Sequence, residues 1–255
     1  MELSNFKRTR LILEYLEHHG HAKIAELAQA MAVSEITIRR DLDKMASQGL
    51  LAKHRGGARR REPSVSELLF EQRSRTMDAE KKRIGQAAAA LVQRGDVVLL
   101  DTGTTTQHIA RALQTVADLT IVTHSIPILA ELAYAREVNL ILLGGTYRMG
   151  NYALSGPITE KNLEQFRARL AFLGADGITF DNGVTTNDLY TAEVTRSMMA
   201  HAETSVLVAD HSKIGRVGSI KYAQVNEFDL LITDAGFDQY QHDAILKHGL
   251  DITMV

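Results

Sequence analysis

Residues 97–106 read Val97-Val98-Leu99-Leu100-Asp101-Thr102-Gly103-Thr104-Thr105-Thr106: four apolar residues, then a polar turn containing one glycine, with a helical pattern starting near Gln107. An apolar run without polar alternation fits a strand covered on both faces by helices. The segment therefore predicts a strand–loop–helix junction in a mainly parallel α/β sheet. Similar runs lie at 119–123, 139–143, 171–174, 206–209, 230–233 and 252–255, with helical stretches between most of them. Regular alternation of this kind predicts an α/β domain.

At the junction itself, amide N–H groups and threonine hydroxyls at a helix start can hydrogen-bond a phosphate that the helix dipole also favours. The other reading is a plain threonine N-cap on a crossover helix. The loop has neither the Lys of a Walker A motif nor the spacing of a dinucleotide fingerprint, so NTPase and NAD-dependent chemistry find no support. Ligands of open α/β sheets bind at the C-terminal strand ends. Those ends carry Thr123-His124-Ser125, Gly144-Gly145, Gly174-Ala175-Asp176-Gly177 and Asp210-His211-Ser212-Lys213. Lys213 is a candidate for neutralising a phosphate. Asp101, Asp176 and Glu193 are candidates for accepting hydrogen bonds from sugar hydroxyls, although each alone also reads as a cap or a surface charge.

Upstream, an amphipathic helix is predicted around 79–92, and the charged, proline-interrupted stretch Arg59-Arg60-Arg61-Glu62-Pro63-Ser64 opens an expected linker over 59–76. Residues 1–58 form a first domain and 77–255 a second. In the first, Leu11, Ile12, Tyr15 and Leu16 recur at helical spacing with Gly20 as a C-terminal stop; 24–31 is a short second helix; Ser34 is a good N-cap for a third reaching about Met45. Gly49 ends that helix, and two short strands around Gly56-Gly57 then make a wing. In the third helix Ile38 and Leu42 face the core together. Ser34, Glu35, Thr37, Arg39, Arg40 and Lys44 are left to meet bases and phosphates, joined by Lys53, His54, Arg55, Gly56 and Gly57 of the wing. A basic tripeptide alone reads as a solvated helix face; helix-turn-helix, wing and local charge together read as a DNA-binding unit.

The segments Ala25-Glu26-Leu27-Ala28, Val33-Ser34, Thr37-Ile38-Arg39-Arg40-Asp41-Leu42, Gly49-Leu50-Leu51 and Gly56-Gly57-Ala58 resemble the DeoR family of bacterial regulators. In the rest of the chain Asp101 with Gly103 to Thr106, Gly144-Gly145, Glu193 and Asp210-His211-Ser212-Lys213 followed by Gly215 resemble that family's sensor domain. The resemblance implies a sensor related in fold to ribose-5-phosphate isomerase and coenzyme A transferases. It also implies a phosphorylated sugar or sugar-like effector. Together with the strand-end residues read above, the candidate effector site is Asp101, Gly103, Thr104, Thr105, Thr106, Thr123, His124, Ser125, Gly144, Gly145, Asp176, Glu193 and Lys213. Two positions depart from the family: Arg55 stands where a His commonly precedes the Gly-Gly pair, and His124 where Asn is usual. The expected function is a DNA-binding regulator, a repressor of a carbohydrate catabolic operon, rather than an enzyme. The alternative, a sugar-phosphate isomerase with a DNA-binding appendage, needs a general base. Isomerase relatives place an acid directly after their Gly-Ala-Asp run, where this chain continues Gly177-Ile178; Glu193 is the substitute to consider.

Charge and composition agree with this division. Residues 1–62 carry 12 Lys and Arg against 8 Asp and Glu, a balance of +4, whereas residues 63–255 stand at -6, so only the first segment suits a polyanion. Cys is absent, which removes disulfides, thiolate zinc sites and thiol redox chemistry and fits a reducing cytoplasm. No cofactor or metal is expected; His18, His19 and His21 read as solvated turn residues lacking the partners of a metal shell. No apolar run approaches the roughly 20 residues of a membrane span, so a cytoplasmic protein with no membrane partner is expected. One recognition helix reads few base pairs, so a homo-oligomer, dimer or tetramer, on double-stranded operator DNA is expected.

Overall fold

Helix α1 (Asn5–His19) places Ile12 and Leu16 one turn apart, and both are buried against α2 (Ile24–Met31) and α3 (Glu35–Ser47) through Leu27, Ile38, Leu42 and Met45. The computed structural model describes residues 5–47, 50–60, 65–236 and 249–255, and divides at Ser64 into two units. In the first, the α2–α3 turn is made by Ala32 in the left-handed region (φ 51°) and by Ser34, whose Oγ accepts the Thr37 N–H at 3.1 Å as the expected cap. The wing is a three-stranded antiparallel sheet in the order β1 (His21–Lys23), β3 (Gly57–Arg60), β2 (Leu51–His54). Strand β1 has no periodic signal of its own, because three residues form a strand only when β3 is there to pair with them. Gly49 lies outside the described residues.

In the second unit all seven expected strands form one parallel sheet: β4 (Val97–Leu100), β5 (Leu119–Thr123), β6 (Val138–Leu142), β9 (Ala168–Leu173), β12 (Ala202–Val208), β14 (Leu230–Thr233) and β15 (Asp251–Met254). Their order is β15-β14-β12-β9-β4-β5-β6. Both faces are covered. Val98 and Leu100 of β4 pack on one side with Ile84 of α5 (Asp78–Ala89), Ile109 of α6 (Thr104–Leu113) and Ile128 of α7 (Ile126–Leu132). Leu99 packs on the other with Leu163 of α8 (Pro157–Leu163) and Val194 of α9 (Leu189–Ala200). Double coverage is why the strands read as continuous apolar runs.

Short antiparallel pieces are added that the apolar runs did not announce: the hairpin β7 (Thr146–Arg148) and β8 (Ala153–Ser155), and the sheet β10 (Gly177–Thr179), β11 (Gly183–Thr186), β13 (Ile220–Ala223). The stretch 59–76, expected as a linker, is largely ordered structure. Arg59 and Arg60 complete β3, and residues 65–75 are helix α4 (Val65–Arg75); 61–64 lie outside the described residues. Helix α4 is held by tertiary contacts: Phe70 meets the Tyr152 ring edge-on at 5.0 Å, and Arg73 Nη2 donates to Asn151 Oδ1 at 3.1 Å. Neither contact is visible from local composition.

Candidate functional site

In the first unit, α3 sends Ile38, Asp41, Leu42 and Met45 inward and leaves Glu35, Arg39, Arg40 and Lys44 exposed. The tripeptide Arg39-Arg40-Asp41 is thus split. Asp41 accepts Arg8 Nε at 2.7 Å and Asn5 Nδ2 at 2.8 Å, tying α3 to α1 inside the unit. Glu35 stands 3.6 Å from Arg39, and Lys53 of the wing pairs with Asp43. His54, Arg55 and Gly56 are exposed at the wing tip, but Gly57 is buried. A Cβ at Gly57 would lie 2.2 Å from Ala22 O, so this glycine serves the close approach of β3 to β1 rather than a surface. An apolar side chain absent from the expected set, Ile36, is 64% exposed on α3. His18 and His19 close α1 and His21 opens β1, so the expected turn is confined to Gly20, although all three histidines are exposed; His19 stacks on Tyr15 and faces Tyr15 O at 3.0 Å through Nδ1.

In the second unit a pocket opens at the C-terminal ends of β4 and β9, where successive strands depart to opposite sides of the sheet. It brings together Asp101, Gly103, Thr104, Thr105, Thr106, Asp176 and Lys213 of the expected set. Helix α6 begins at Thr104, three residues earlier than expected, with Gly103 at the N-cap position and no side-chain cap. The threonines do not cap the helix: Thr106 Oγ1 donates back to Gly103 O at 3.0 Å. The first amides of α6 therefore face the pocket without a capping side chain, at the positive end of the helix dipole.

Asp101, 1% exposed, is a junction more than a free acceptor. Its Oδ1 accepts the Thr102 N–H at 2.7 Å and faces His124 Nε2 at 3.0 Å; its Oδ2 accepts the Gly174 N–H at 3.3 Å and Thr195 Oγ1 at 3.2 Å. Those bonds join the ends of β4, β5 and β9 to α9. His124 lies behind this wall with its Nδ1 at 2.7 Å from Leu154 O, a contact only a protonated Nδ1 can make. Thr123 donates to Leu100 O, and Ser125 caps α7 at the Ile128 N–H, so Thr123, His124 and Ser125 support the pocket without lining it.

Gly144 and Gly145 also lie outside it. A Cβ on Gly145, at φ +148°, would come within 2.0 Å of Thr159 Oγ1, so Gly145 makes room for α8, whereas a Cβ on Gly144 would meet nothing closer than 3.6 Å. Glu193 points away to Arg196 at 2.8 Å. Asp176 accepts Thr186 Oγ1 at 3.1 Å and the Asn187 N–H at 2.9 Å.

Residues not singled out from sequence complete the lining: Phe70 and Arg73 of α4, Lys81 of α5, Asn151, Thr186, Thr191, Thr195 and Tyr222. Lys81 sits in Asp78-Ala79-Glu80-Lys81-Lys82-Arg83, which reads as a solvated charged face, yet it is 3% exposed and its Nζ donates to Thr76 O at 2.6 Å. Burial lowers its pKa; the carboxylate of Asp210 opposes this, and the nearby charges of Lys213 and Arg73 add to it. Tyr222 donates to Gly174 O at 2.6 Å, and burial, with the charges of Asp101 and Asp176, raises its pKa well above the usual phenol value. Three cations, Arg73, Lys81 and Lys213, thus surround a cavity whose two carboxylates are already engaged.

The N-terminal unit matches the DeoR-like helix-turn-helix domain over residues 8–64, and residues 76–235 match the DeoR C terminal sensor domain. The chain is 34% identical to the HTH-type transcriptional repressor CsqR of Escherichia coli (strain K12), over 91% of this chain and 89% of that protein. It is 32% identical to the glycerol-3-phosphate regulon repressor of the same strain, over 88% of each. Among solved structures it is similar to ribose 5-phosphate isomerase A from Methanocaldococcus jannaschii (18% identity, TM-score 0.41, 55% of each chain). It is also similar to a 4-hydroxybutyrate CoA-transferase from Porphyromonas gingivalis (14%, TM-score 0.42, 68% of this chain and 52% of that one). With a helix-turn-helix unit, a sensor domain matched along most of its length and relatives aligned over nearly the whole chain, the protein belongs to the DeoR family of DNA-binding transcriptional regulators.

Proposed function

We propose that the chain is a repressor of a carbohydrate operon that binds double-stranded operator DNA through α3 and the wing and releases or retains it according to a phosphorylated sugar or sugar-like metabolite in the pocket. The observation that carries the effector chemistry is the pairing of uncapped α6 amides with Lys81 and Lys213 around one cavity. Amides at a helix start and cations are the groups that hold phosphate. Asn151, Thr191 and Tyr222 in the same lining suit hydroxyl groups of a small polyol. A relative named for the glycerol-3-phosphate regulon supports a phosphorylated small molecule of this kind.

On the DNA side, Arg39, Arg40 and Lys44 supply phosphate contacts, while Thr37 and the exposed Ile36 suit base edges and thymine methyl groups. Gly57 acts within the wing. The functional protein is a homo-oligomer, since paired half-sites are needed for specificity; a strictly monomeric species in sedimentation of the full chain at high concentration would exclude this.

The pocket binds rather than turns over its ligand. Both lining carboxylates already accept hydrogen bonds from the protein, and Glu193, the substitute base, is paired with Arg196 outside the cavity. The experiment is fluorescence anisotropy of the full chain on the DNA upstream of its own gene, titrated with glycerol 3-phosphate, glucose 6-phosphate and other sugar phosphates, alongside an aldose–ketose turnover assay. A shift in DNA affinity with no turnover is expected. Turnover, or indifference to every sugar phosphate, would overturn the reading. Among the described residues no helix is long and apolar enough to cross a membrane.

A further inference from the structure

The two ring nitrogens of His124 face two different segments of the pocket wall from behind. His124 is fully buried and Asp101 is 1% exposed. Nδ1 stands 2.7 Å from Leu154 O, and a carbonyl has no proton to give, so Nδ1 carries hydrogen. Nε2 stands 3.0 Å from Asp101 Oδ1. In a neutral ring with its hydrogen on Nδ1, that contact would set the Nε2 lone pair against a carboxylate oxygen. The other donor at this point is the Thr102 N–H, whose nitrogen is 2.7 Å from Oδ1 but 3.3 Å from Nε2, so its proton belongs to the carboxylate. A further proton is needed on the line between Nε2 and Oδ1.

The remaining contacts of Asp101 say which partner keeps that proton. Its Oδ1 accepts the Thr102 N–H, and its Oδ2 accepts the Gly174 N–H at 3.3 Å and stands 3.2 Å from the Thr195 hydroxyl. Donors converging on both oxygens are the pattern of an ionised carboxylate, which only accepts. A buried carboxylate charge calls for a paired countercharge. Arg73, Lys81, Lys213, Asp176 and Tyr222 are the other ionisable groups of the lining, and among the described residues none of them bonds to Asp101 or His124.

We propose that His124 is an imidazolium, the counter-ion of Asp101, and a positioning residue of the pocket. Its Nε2–H fixes the carboxylate that gathers the ends of β4 and β9. Its Nδ1–H holds β8, in the hairpin that carries Asn151, and Asn151 O in turn accepts the Thr102 hydroxyl at 3.0 Å. Two lining segments, 101–106 and 151–155, are thus joined through one ring. The bearing on the effector rests on the sugar-phosphate reading above; the proton does not.

The test begins with nitrogen NMR of the full chain carrying isotope-labelled histidine, the His124 signals being assigned by their loss in His124→Asn. Both ring nitrogens of His124 carry hydrogen at neutral pH. An Nε2 without hydrogen would overturn the imidazolium, and because this is read in wild type it decides even where a variant unfolds. Hydrogen exchange then reads the Thr102 and Gly174 amides. Asn places its amide nitrogen where Nδ1 stands and falls one bond short of Nε2, whereas Gln reaches the Nε2 position with an uncharged N–H. The two amides exchange roughly fivefold or more faster in His124→Asn, with His124→Gln between Asn and wild type. Exchange in His124→Asn within about twofold of wild type, or equal in the two variants, would overturn positioning through Asp101. Affinity for glycerol 3-phosphate and glucose 6-phosphate follows the same order, with a loss of roughly tenfold in His124→Asn; unchanged affinity would overturn the role in the pocket. If neither sugar phosphate binds wild type, the effector reading fails, and the ring proton and the two amides still decide this inference.

Discussion

Replacing Arg8 with Met removes the cation that holds Asp41 inside the DNA-binding unit. Asp41 is 5% exposed and accepts Arg8 Nε at 2.7 Å, Arg8 Nη2 at 3.2 Å and Asn5 Nδ2 at 2.8 Å. Met keeps much of the packing volume but leaves the carboxylate with Asn5 as its remaining described partner. Breaking one side of a buried ion pair costs about 3–5 kcal/mol, and because both side chains keep a little solvent contact the lower figure applies, about 3 kcal/mol. A unit of about 60 residues holds roughly 3–9 kcal/mol in total, so the loss removes a third or more of its margin. The unfolding constant rises roughly 150-fold, at about 1.4 kcal/mol per factor of ten.

The assay is hydrogen exchange in the full chain, read at the core amides of Ile12, Leu16, Ile38 and Leu42, with DNA affinity measured in parallel. Exchange at all four should accelerate together, and DNA binding should weaken through loss of folded α3. The double variant Arg8→Met/Asp41→Leu should recover to within about 1 kcal/mol of wild type, since an apolar pair replaces an ionic one of similar volume. A single variant whose exchange stays within threefold of wild type, or a double variant no better than the single, would refute the reasoning.

Other outcomes follow from the same geometry. Arg39→Ala and Arg40→Ala should each weaken DNA binding and lower the salt slope by about one counterion, leaving sugar-phosphate affinity intact; an unchanged slope would remove these side chains from the interface. Lys213→Ala should weaken sugar-phosphate binding by about 1.5–3 kcal/mol, tenfold or more, while DNA binding without effector persists. Thr105→Ala should cost less, and coincident response curves for wild type and Lys213→Ala would make that lysine a surface cation. Burial, followed by the charge of Arg111, lowers the pKa of His108, with Asp78 at 3.2 Å opposing. A His with a lowered folded-state pKa favours the folded state fully above its unfolded value near 6.5, and that contribution is lost as pH falls from there through the folded value. The melting temperature of wild type should therefore drop on acidification below about pH 6.5 more than that of His108→Gln; equal slopes would refute the assignment.

Much of this protein was legible because its sequence patterns are local. Seven apolar runs announced seven parallel strands, since a strand covered on both faces must be apolar throughout. Ser34 marked the start of α3 because an N-cap hydroxyl acts within three residues of itself. Arg39 and Arg40 could be separated from Ile38 and Leu42 by helical spacing alone, and the 103–106 loop by its place between strand and helix.

Only the tertiary structure decided what each polar side chain faces. The carboxylate of Asp41, next to two surface arginines in sequence, turns inward because Arg8, 33 residues away, is there to receive it. Thr123, His124 and Ser125 stand behind the pocket wall instead of in it, and Gly145 makes room for Thr159. Lys81 and Arg73, which look like solvated charges on a helix and a linker, come to the cavity through contacts with Asn151 and with the backbone at the end of α4. Periodicity reports which side of an element is apolar, but the partner of a buried charge is set by contacts between segments far apart in the chain, and no local pattern records them.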